Sequence, residues 1–167
     1  SDIQRGIDLH HKTDQTFHRS STFLALCDRA LKRMVGLGVR RGTARAVAHV
    51  GTELFLDGWL AREPRHADAY LTALEIDVRG RVEWQDRGAA FSDLQMRLSR
   101  WGVPRDYEEP EFVLGTLADS LRRRPALALR EEESPLVGSF LPSLKQMVAG
   151  STPELLREIR DGLGFGS

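Results

Sequence analysis

The sequence predicts an all-α protein, a single compact multi-helix bundle spanning residues 1–167. Three observations lead there. Apolar residues recur at three- and four-residue spacing along most of the chain, and no segment sustains the period-2 alternation of a half-buried strand. Proline, glycine and Ser/Thr clusters fall where one helical pattern gives way to the next. No repeat, low-complexity tract or long linker divides the chain, and 167 residues are enough to bury one core.

The first helix is expected over about residues 3–18, polar, with Ile3, Ile7, Leu9 and Phe17 as its few apolar anchors. Ser20-Ser21-Thr22 offers N-caps for a second helix, because a short hydroxyl side chain can accept from the unpaired N–H groups of a first turn. Its Phe23, Leu26, Cys27, Ala30, Leu31 and Met34 follow the helical period, and Gly36-Leu37-Gly38 ends it. A third helix, from about Thr43 to about Ala61, carries Val47, Val50, Leu54 and Phe55 as its apolar stripe. Pro64 suits the first turn of a fourth, which runs to about Ile76 on Ala67, Tyr70, Leu71 and Leu74. Arg79-Gly80-Arg81 is a break. A fifth helix over about residues 85–101 uses Phe91, Leu94, Met96, Leu98 and Trp101, and Gly102-Val103-Pro104 closes it. Pro110 opens a sixth, with Phe112, Val113, Leu114, Leu117 and Leu121 inside. Arg124-Pro125 interrupts it, since the residue before a proline is pushed out of the α region. Residues 134–148 are expected to be helical in their second half. A short last helix is expected to start at Thr152-Pro153-Glu154, capped by Thr152.

Composition narrows the function. Apolar residues make up 41% and charged residues 29%, ordinary for a soluble globular chain. The formal net charge is +0, so nothing draws the whole molecule to nucleic acid or membrane, and electrostatic recognition has to come from local patches. No apolar run approaches the roughly 20 residues of a membrane span, and no secretory signal is visible. The one cysteine, Cys27, reads as a small core residue and fits a reducing, cytoplasmic setting. There is no phosphate-cradling glycine loop, no Gly-x-Ser-x-Gly and no Cys-x-x-Cys, and Cys27 has no basic neighbour to activate it.

Two polar triplets carry the chemistry: His10/Asp14/His18 on the first helix and His49/Glu53/Asp57 on the third. Each falls at i, i+4, i+8. That spacing drifts only about 40° per step, so each triplet makes one stripe along a helix face. Imidazole nitrogen and carboxylate oxygen suit Mn²⁺, Fe²⁺, Zn²⁺ or, with carboxylate help, Mg²⁺. His10 and Asp14 lie one turn apart and can converge on one ion. His18, about 12 Å from His10 along the axis, is better placed behind the metal ligands, or as a substrate or second-metal group. His49 and Glu53 sit in a markedly apolar helix, where an ionisable group is costly to bury unless it is paired or ligating. Gly51 between them costs about 1 kcal/mol against alanine in a helix interior, which points to close approach of a neighbouring helix or a ligand. The other reading of both stripes is a solvated polar face. Basic residues Arg29, Lys32 and Arg33, then Arg40, Arg41 and Arg45, could form a ridge for a phosphate or an acidic partner. Taken singly, these runs, like the acidic runs Glu108-Glu109 and Glu131-Glu132-Glu133, read as solvated surface.

Gly6-Ile7-x-Leu9-His10-x-x-x-Asp14 resembles the "G-I-x-x-H-x-x-I-D-x-x-T-D" segment of acyl carrier protein phosphodiesterases, small all-helical hydrolases distantly related to HD-domain phosphohydrolases. Leu117-Ala118-Asp119-Ser120-Leu121-Arg122-Arg123-Arg124-Pro125-Ala126-Leu127 is similar to that family's "L-x-x-M-x-x-R-R-P-x-L". Phe140-Leu141-Pro142-Ser143-Leu144-Lys145-Gln146-Met147 is similar to its "F-x-x-x-Y-P-x-M-M". The order and approximate spacing agree over most of the chain. In place of the second acidic residue of the family's first motif stands His18, and Thr52-Glu53-Leu54-Phe55 occupies the region of its "D-H-F-L". The family's N-terminal helix has no counterpart ahead of Ser1 and is expected to be missing. The resemblance implies an HD-domain-like bundle that hydrolyses the phosphodiester joining 4′-phosphopantetheine to a serine of holo acyl carrier protein, with Mn²⁺ or Mg²⁺. His10, Asp14, His49 and Glu53 are then the expected metal ligands, and Asp57 and His18 the catalytic residues. Arg29, Arg33, Arg40, Arg41 and Arg45 would face the acidic carrier or its phosphate. Two alternatives stand beside this: a related phosphohydrolase acting on a nucleotide or another small phosphoester, and a non-catalytic helical module that docks an acidic partner.

Overall fold

A computed structural model describes residues 2–76 and 88–165. Among them the chain forms helices α1 (Asp2–Arg19), α2 (Ser21–Gly36), α3 (Arg41–Ala61), α4 (Pro64–Glu75), α5 (Gly88–Trp101), α6 (Pro110–Leu121) and α7 (Ser134–Leu163), with a 3₁₀ turn at Arg105–Glu108 and no strand. The all-α bundle is as the periodicity predicts. The expected break at Arg79-Gly80-Arg81, and the expected start of the fifth helix at 85–87, lie outside the described residues.

Helix α3 is the centre. It packs against α2, α4, α6, α7 and the 3₁₀ turn, and buries Val47, Ala48, Leu54 and Phe55 along with its small residues Ala44, Gly51 and Gly58. The facing core comes from Phe23, Leu26, Ala30 and Met34 of α2, Val113 and Leu117 of α6, and Val137, Phe140, Leu141 and Leu144 of α7. Gly51 answers the sequence expectation of a close neighbour. A β-carbon there would sit 3.1 Å from Leu144 Cδ2 and 3.8 Å from Leu117 Cδ1, so the neighbour is packed helix side chain. Gly58 is held more strictly, because a β-carbon would lie 2.8 Å from the carbonyl carbon of Tyr107 and 3.0 Å from Glu108 N. Backbone cannot move aside as a side chain can, so only glycine lets the 3₁₀ turn lie on α3.

Ser20 caps α2 as expected, its hydroxyl accepting from Phe23 N at 3.1 Å. Helix α7 adds a second cap. Glu158 accepts from Ser21 Oγ at 2.7 Å, Thr22 Oγ1 at 2.8 Å and Thr22 N at 3.3 Å, placing a carboxylate at the positive end of α2. The Ser20 hydroxyl first, then those of Ser21 and Thr22, hold its pKa down to about 2.

Several expectations are corrected. The C-terminal region is one helix from Ser134 to Leu163, with Pro142 and Pro153 inside it. Thr152 is no cap; it is buried within α7, and its hydroxyl bonds back to Val148 O at 2.8 Å. The periodic apolar residues of α5 do not reach the core: Phe91, Leu94, Met96 and Trp101 stay exposed because α5 packs chiefly on α4. Leu71, Ile7 and Leu9 are exposed as well, and Phe112 stays exposed beside the rings of Trp101 and Tyr107. Glu133 is no solvated charge. It is 3% exposed and accepts from Arg40 N at 2.8 Å, Arg40 Nε at 3.0 Å, Arg40 Nη2 at 2.9 Å and Arg130 N at 3.1 Å. Cys27 is half-buried against the core, its thiol 3.6 Å from Ala48 O, and burial pushes its pKa up to about 11.

Candidate metal centre

Because α3 is wrapped by its neighbours, most of it is covered. Its polar outward strip runs through Arg41, Arg45, His49, Glu53 and Asp57, each one turn from the next, beside the half-buried Ala46 and Val50. The polar stripe in an apolar helix is therefore a face that the core leaves uncovered. Helix α1 ends beside it, and the last turn of α1 brings His18 across to His49 and Glu53.

The three side chains converge tightly. His18 Nε2 lies 3.2 Å from His49 Nε2 and 3.1 Å from Glu53 Oε1, and His49 Nε2 lies 3.3 Å from the same Glu53 oxygen. The two imidazoles stack at 15° with ring centroids 5.0 Å apart. Phe23 stands edge-on to both, 5.5 Å from His18 and 5.2 Å from His49, and Phe17 packs edge-on to His18 at 5.0 Å. Since Phe23 is itself a core residue, the hydrophobic interior fixes the orientation of both rings. The cluster is not sealed, for all three side chains are between 33% and 43% exposed.

The triangle has three close contacts and too few protons to satisfy them. His18 Nδ1 faces two acceptors, Asp14 O at 2.9 Å and Asp14 Oδ1 at 3.3 Å, so it carries a proton. In the neutral ring its Nε2 is then a bare lone pair, aimed at a carboxylate oxygen 3.1 Å away. The proton on His49 Nε2, where that tautomer holds, serves only one edge of the triangle. A cation at the centre, an added proton or a metal ion, removes the conflict. The donor set fits a metal: bonds of about 2.1 Å place adjacent ligand atoms about 3.0–3.4 Å apart in tetrahedral or octahedral geometry, and all three separations fall in that range. Asp14 meanwhile does for His18 what carboxylates do behind metal-ligating histidines, holding Nδ1–H so that Nε2 points outward.

The structure distributes the sequence-predicted residues unequally. His49, Glu53 and His18 come together, with His18 as a member of the cluster, and Asp14 stands behind His18. His10 does not join them; it is exposed two turns away on α1, beside the ring of His11 at 5.6 Å. The i, i+4 logic placed His10 with Asp14, but the contact between helices falls at the C-terminal end of α1. Asp57 also stays out of the triangle and opens into a neighbouring cavity. Of the arginines, Arg29, Arg41 and Arg45 are exposed, and Arg33 reaches Ser143 Oγ at 3.1 Å. Arg40 is not free for a phosphate, since its guanidinium is committed to Glu133 and to Ala128 O at 2.7 Å.

That cavity, about 610 Å³, lies between the C-terminal end of α3, α4, the end of α5 and the segment 103–107. Asp57, His66, Tyr70, Trp101 and Tyr107 line it together with Leu60, Ala67 and Leu98. Low-dielectric surroundings, and secondarily the charge of Glu53, push the Asp57 pKa up to about 6, although the carboxylate still meets solvent at the cavity mouth. Tyr70 and Tyr107 are shifted upward too, by burial first and then by Asp57. Sequence reasoning missed this group because its members come from four segments with no shared spacing. The only local signal was an Asp at the end of an apolar helix.

No family model matches the chain, and neither a curated protein nor a solved structure is significantly similar to it. Among the described residues no helix is long and apolar enough to cross a membrane.

Proposed function

We propose that the chain is a metal-dependent phosphodiesterase of the type its motifs resemble, acting on the 4′-phosphopantetheine–serine linkage of holo acyl carrier protein in the cytoplasm. The observation that supports it is the His18–His49–Glu53 triangle, a two-imidazole, one-carboxylate set with the separations a single divalent ion requires. Two nitrogen donors favour Mn²⁺, Fe²⁺ or Zn²⁺ over Mg²⁺, which prefers oxygen. A divalent ion held there would acidify a bound water and polarise a phosphoryl oxygen.

The chain's own residues supply the rest. His18, His49 and Glu53 fill one side of the site, and their partial exposure leaves the other side open to water and substrate. Asp14 keeps His18 in the ligating tautomer, and Phe23 prevents either ring from swinging away. Arg45 and Arg41 continue the α3 stripe one and two turns before His49, where their charges draw in the phosphate of an anionic substrate. An acidic carrier protein would meet the same arginines.

Melting of chelator-treated protein with and without Mn²⁺ is the direct test. Binding at 100 times the dissociation constant adds about 2.7 kcal/mol, which for a chain of this size raises the midpoint by several degrees. His18→Ala and Glu53→Gln should abolish the rise, Asp14→Asn should weaken metal affinity by about 10-fold or more, and His10→Ala should leave it intact. No rise in the unmodified protein, or one that survives loss of His18 and Glu53, would sink the metal reading. Metal-loaded protein should then release phosphopantetheine from holo acyl carrier protein. Cleavage of nucleotides in its place would keep the chemistry and replace the substrate.

A further inference from the structure

We propose that the cavity at the C-terminal end of α3 binds a small organic amine, with Asp57 receiving the ammonium group and Tyr70, Trp101 and Tyr107 surrounding its apolar body. The cavity is separate from the metal triangle in chemistry as well as place. At about 610 Å³ it has the size of a drug-like organic ligand, and most of its wall is apolar or aromatic. Neither lysine nor arginine is among the described residues that line it, so those residues offer a phosphate or carboxylate no fixed positive charge.

Among its polar atoms the Asp57 oxygens accept, and His66 Nδ1 accepts in the tautomer that carries its proton on Nε2. The Asp57 carboxylate has no hydrogen bond or ion pair among the described residues, although it sits in a wall that raises the cost of its charge. His66 lines the same cavity, and its Nδ1 is buried without a hydrogen-bond partner among the described residues. A buried polar atom left unpaired is destabilising, so His66 Nδ1, in the tautomer that leaves it a lone pair, gains from an N–H donor, and the Asp57 carboxylate gains from a cation. An ammonium brings both. The aromatic groups act in the same sense, since ring faces attract cations. They are also held in place: Trp101 stands edge-on to Tyr107 with centroids 5.2 Å apart, and its indole N–H is already given to Asp106 Oδ2 at 3.3 Å. That leaves the ring of Trp101 as its contribution to the cavity. A wall with one unpaired carboxylate, one unpaired imidazole nitrogen and three aromatic side chains selects for charge +1 on an apolar frame.

Three probes share one frame and differ in charge: 4-phenylbutylamine, 4-phenylbutanol and 4-phenylbutyrate. Titration of the full chain by calorimetry, in chelator so that the metal triangle plays no part, should rank them amine, alcohol, carboxylate, with the amine about 10-fold tighter than the alcohol. Quenching of tryptophan fluorescence should accompany binding and be lost in Trp101→Phe. Asp57→Asn should bring the amine to within about 2-fold of the alcohol without weakening the alcohol. Ala69→Trp, which fills the cavity from an exposed position, should abolish all three while the melting curve stays cooperative. Failure of all three probes to bind at millimolar concentration overturns the proposal. So does a carboxylate that binds best, or amine binding that survives Asp57→Asn or Ala69→Trp unchanged.

Discussion

Glu133 shows how much one side chain can decide. Burial alone would raise its pKa, but hydrogen bonds from the guanidinium and N–H of Arg40 and from Arg130 N–H, together with the Arg40 charge, outweigh that and hold it at about 2. Its position explains the arrangement: Arg40 is the N-cap of α3 and has no side-chain cap bond of its own, so Glu133 serves the positive end of the central helix from outside. An acid depressed in the folded state adds stability above its unfolded value of 4.5, and that contribution disappears as pH falls toward 2. Glu133→Gln should therefore cost about 2–3 kcal/mol at pH 7. In urea melts the gap from the unmodified protein should close between about pH 4.5 and pH 2. A gap independent of pH would mean that shape rather than charge is at stake. Three consecutive glutamates look alike in the sequence, and only the approach of segment 130–133 to the α3 N-terminus distinguishes the third. His18 was hidden differently. Its spacing with His10 and Asp14 was plain, but its role depends on where α1 crosses α3, which no pattern within one helix records.

The elements were legible where local chemistry and packing agree. Ser20, Pro64 and Pro110 mark helix starts because capping and a missing N–H act within one turn, and the stripe of α2 is buried almost residue for residue. Helix α7 defeats the same logic. Pro153 reads as a boundary, yet the helix continues through it and through Pro142 because buried residues on either side, Leu141 and Leu144, then Val148 and Leu155, hold it to the core. The carbonyls that lose their donors belong to Gly138, half-buried, and Ala149, exposed, within reach of water. The cost of a proline in a helix interior, about 3 kcal/mol, is then still present at position 153. Pro153→Ala should recover it, less about 1 kcal/mol for the greater freedom of the unfolded chain, for a net gain near 2 kcal/mol in denaturant unfolding. A loss of stability instead would show that the core needs a bend at this point. For α5 the difficulty is the reverse: its periodicity is real, but periodicity states that a face is apolar and not what covers it.

At the scale of the whole molecule, the bundle follows from periodicity, while its centre does not. Helix α3 becomes central because small residues at 44, 48, 51 and 58 let α2, α6, α7 and the 3₁₀ turn approach it closely. That fixes a gradient of stability. An amide in α3 can exchange with solvent only when most of the core opens, whereas α5 buries no residue and packs chiefly on α4, which itself buries Ala67 alone. Local opening free energy tracks the apolar contact that must be broken. Hydrogen exchange should therefore find α5 opening at several kcal/mol below the global value, α4 close behind it, and α3 and the 137–148 stretch of α7 last. The proposed ligand adds a sharper expectation, because the amine cavity is roofed by Leu98 and Trp101 of α5 and floored by α3 and α4. Saturating 4-phenylbutylamine should slow exchange in α4 and α5 while leaving α1 and the metal triangle unchanged. Mn²⁺ should do the converse, protecting the last turn of α1 around His18. If both additions protected the same helices equally, the two sites would be energetically one. The separation of the acceptor-lined cavity from the His18–His49–Glu53 cluster would then have no functional meaning.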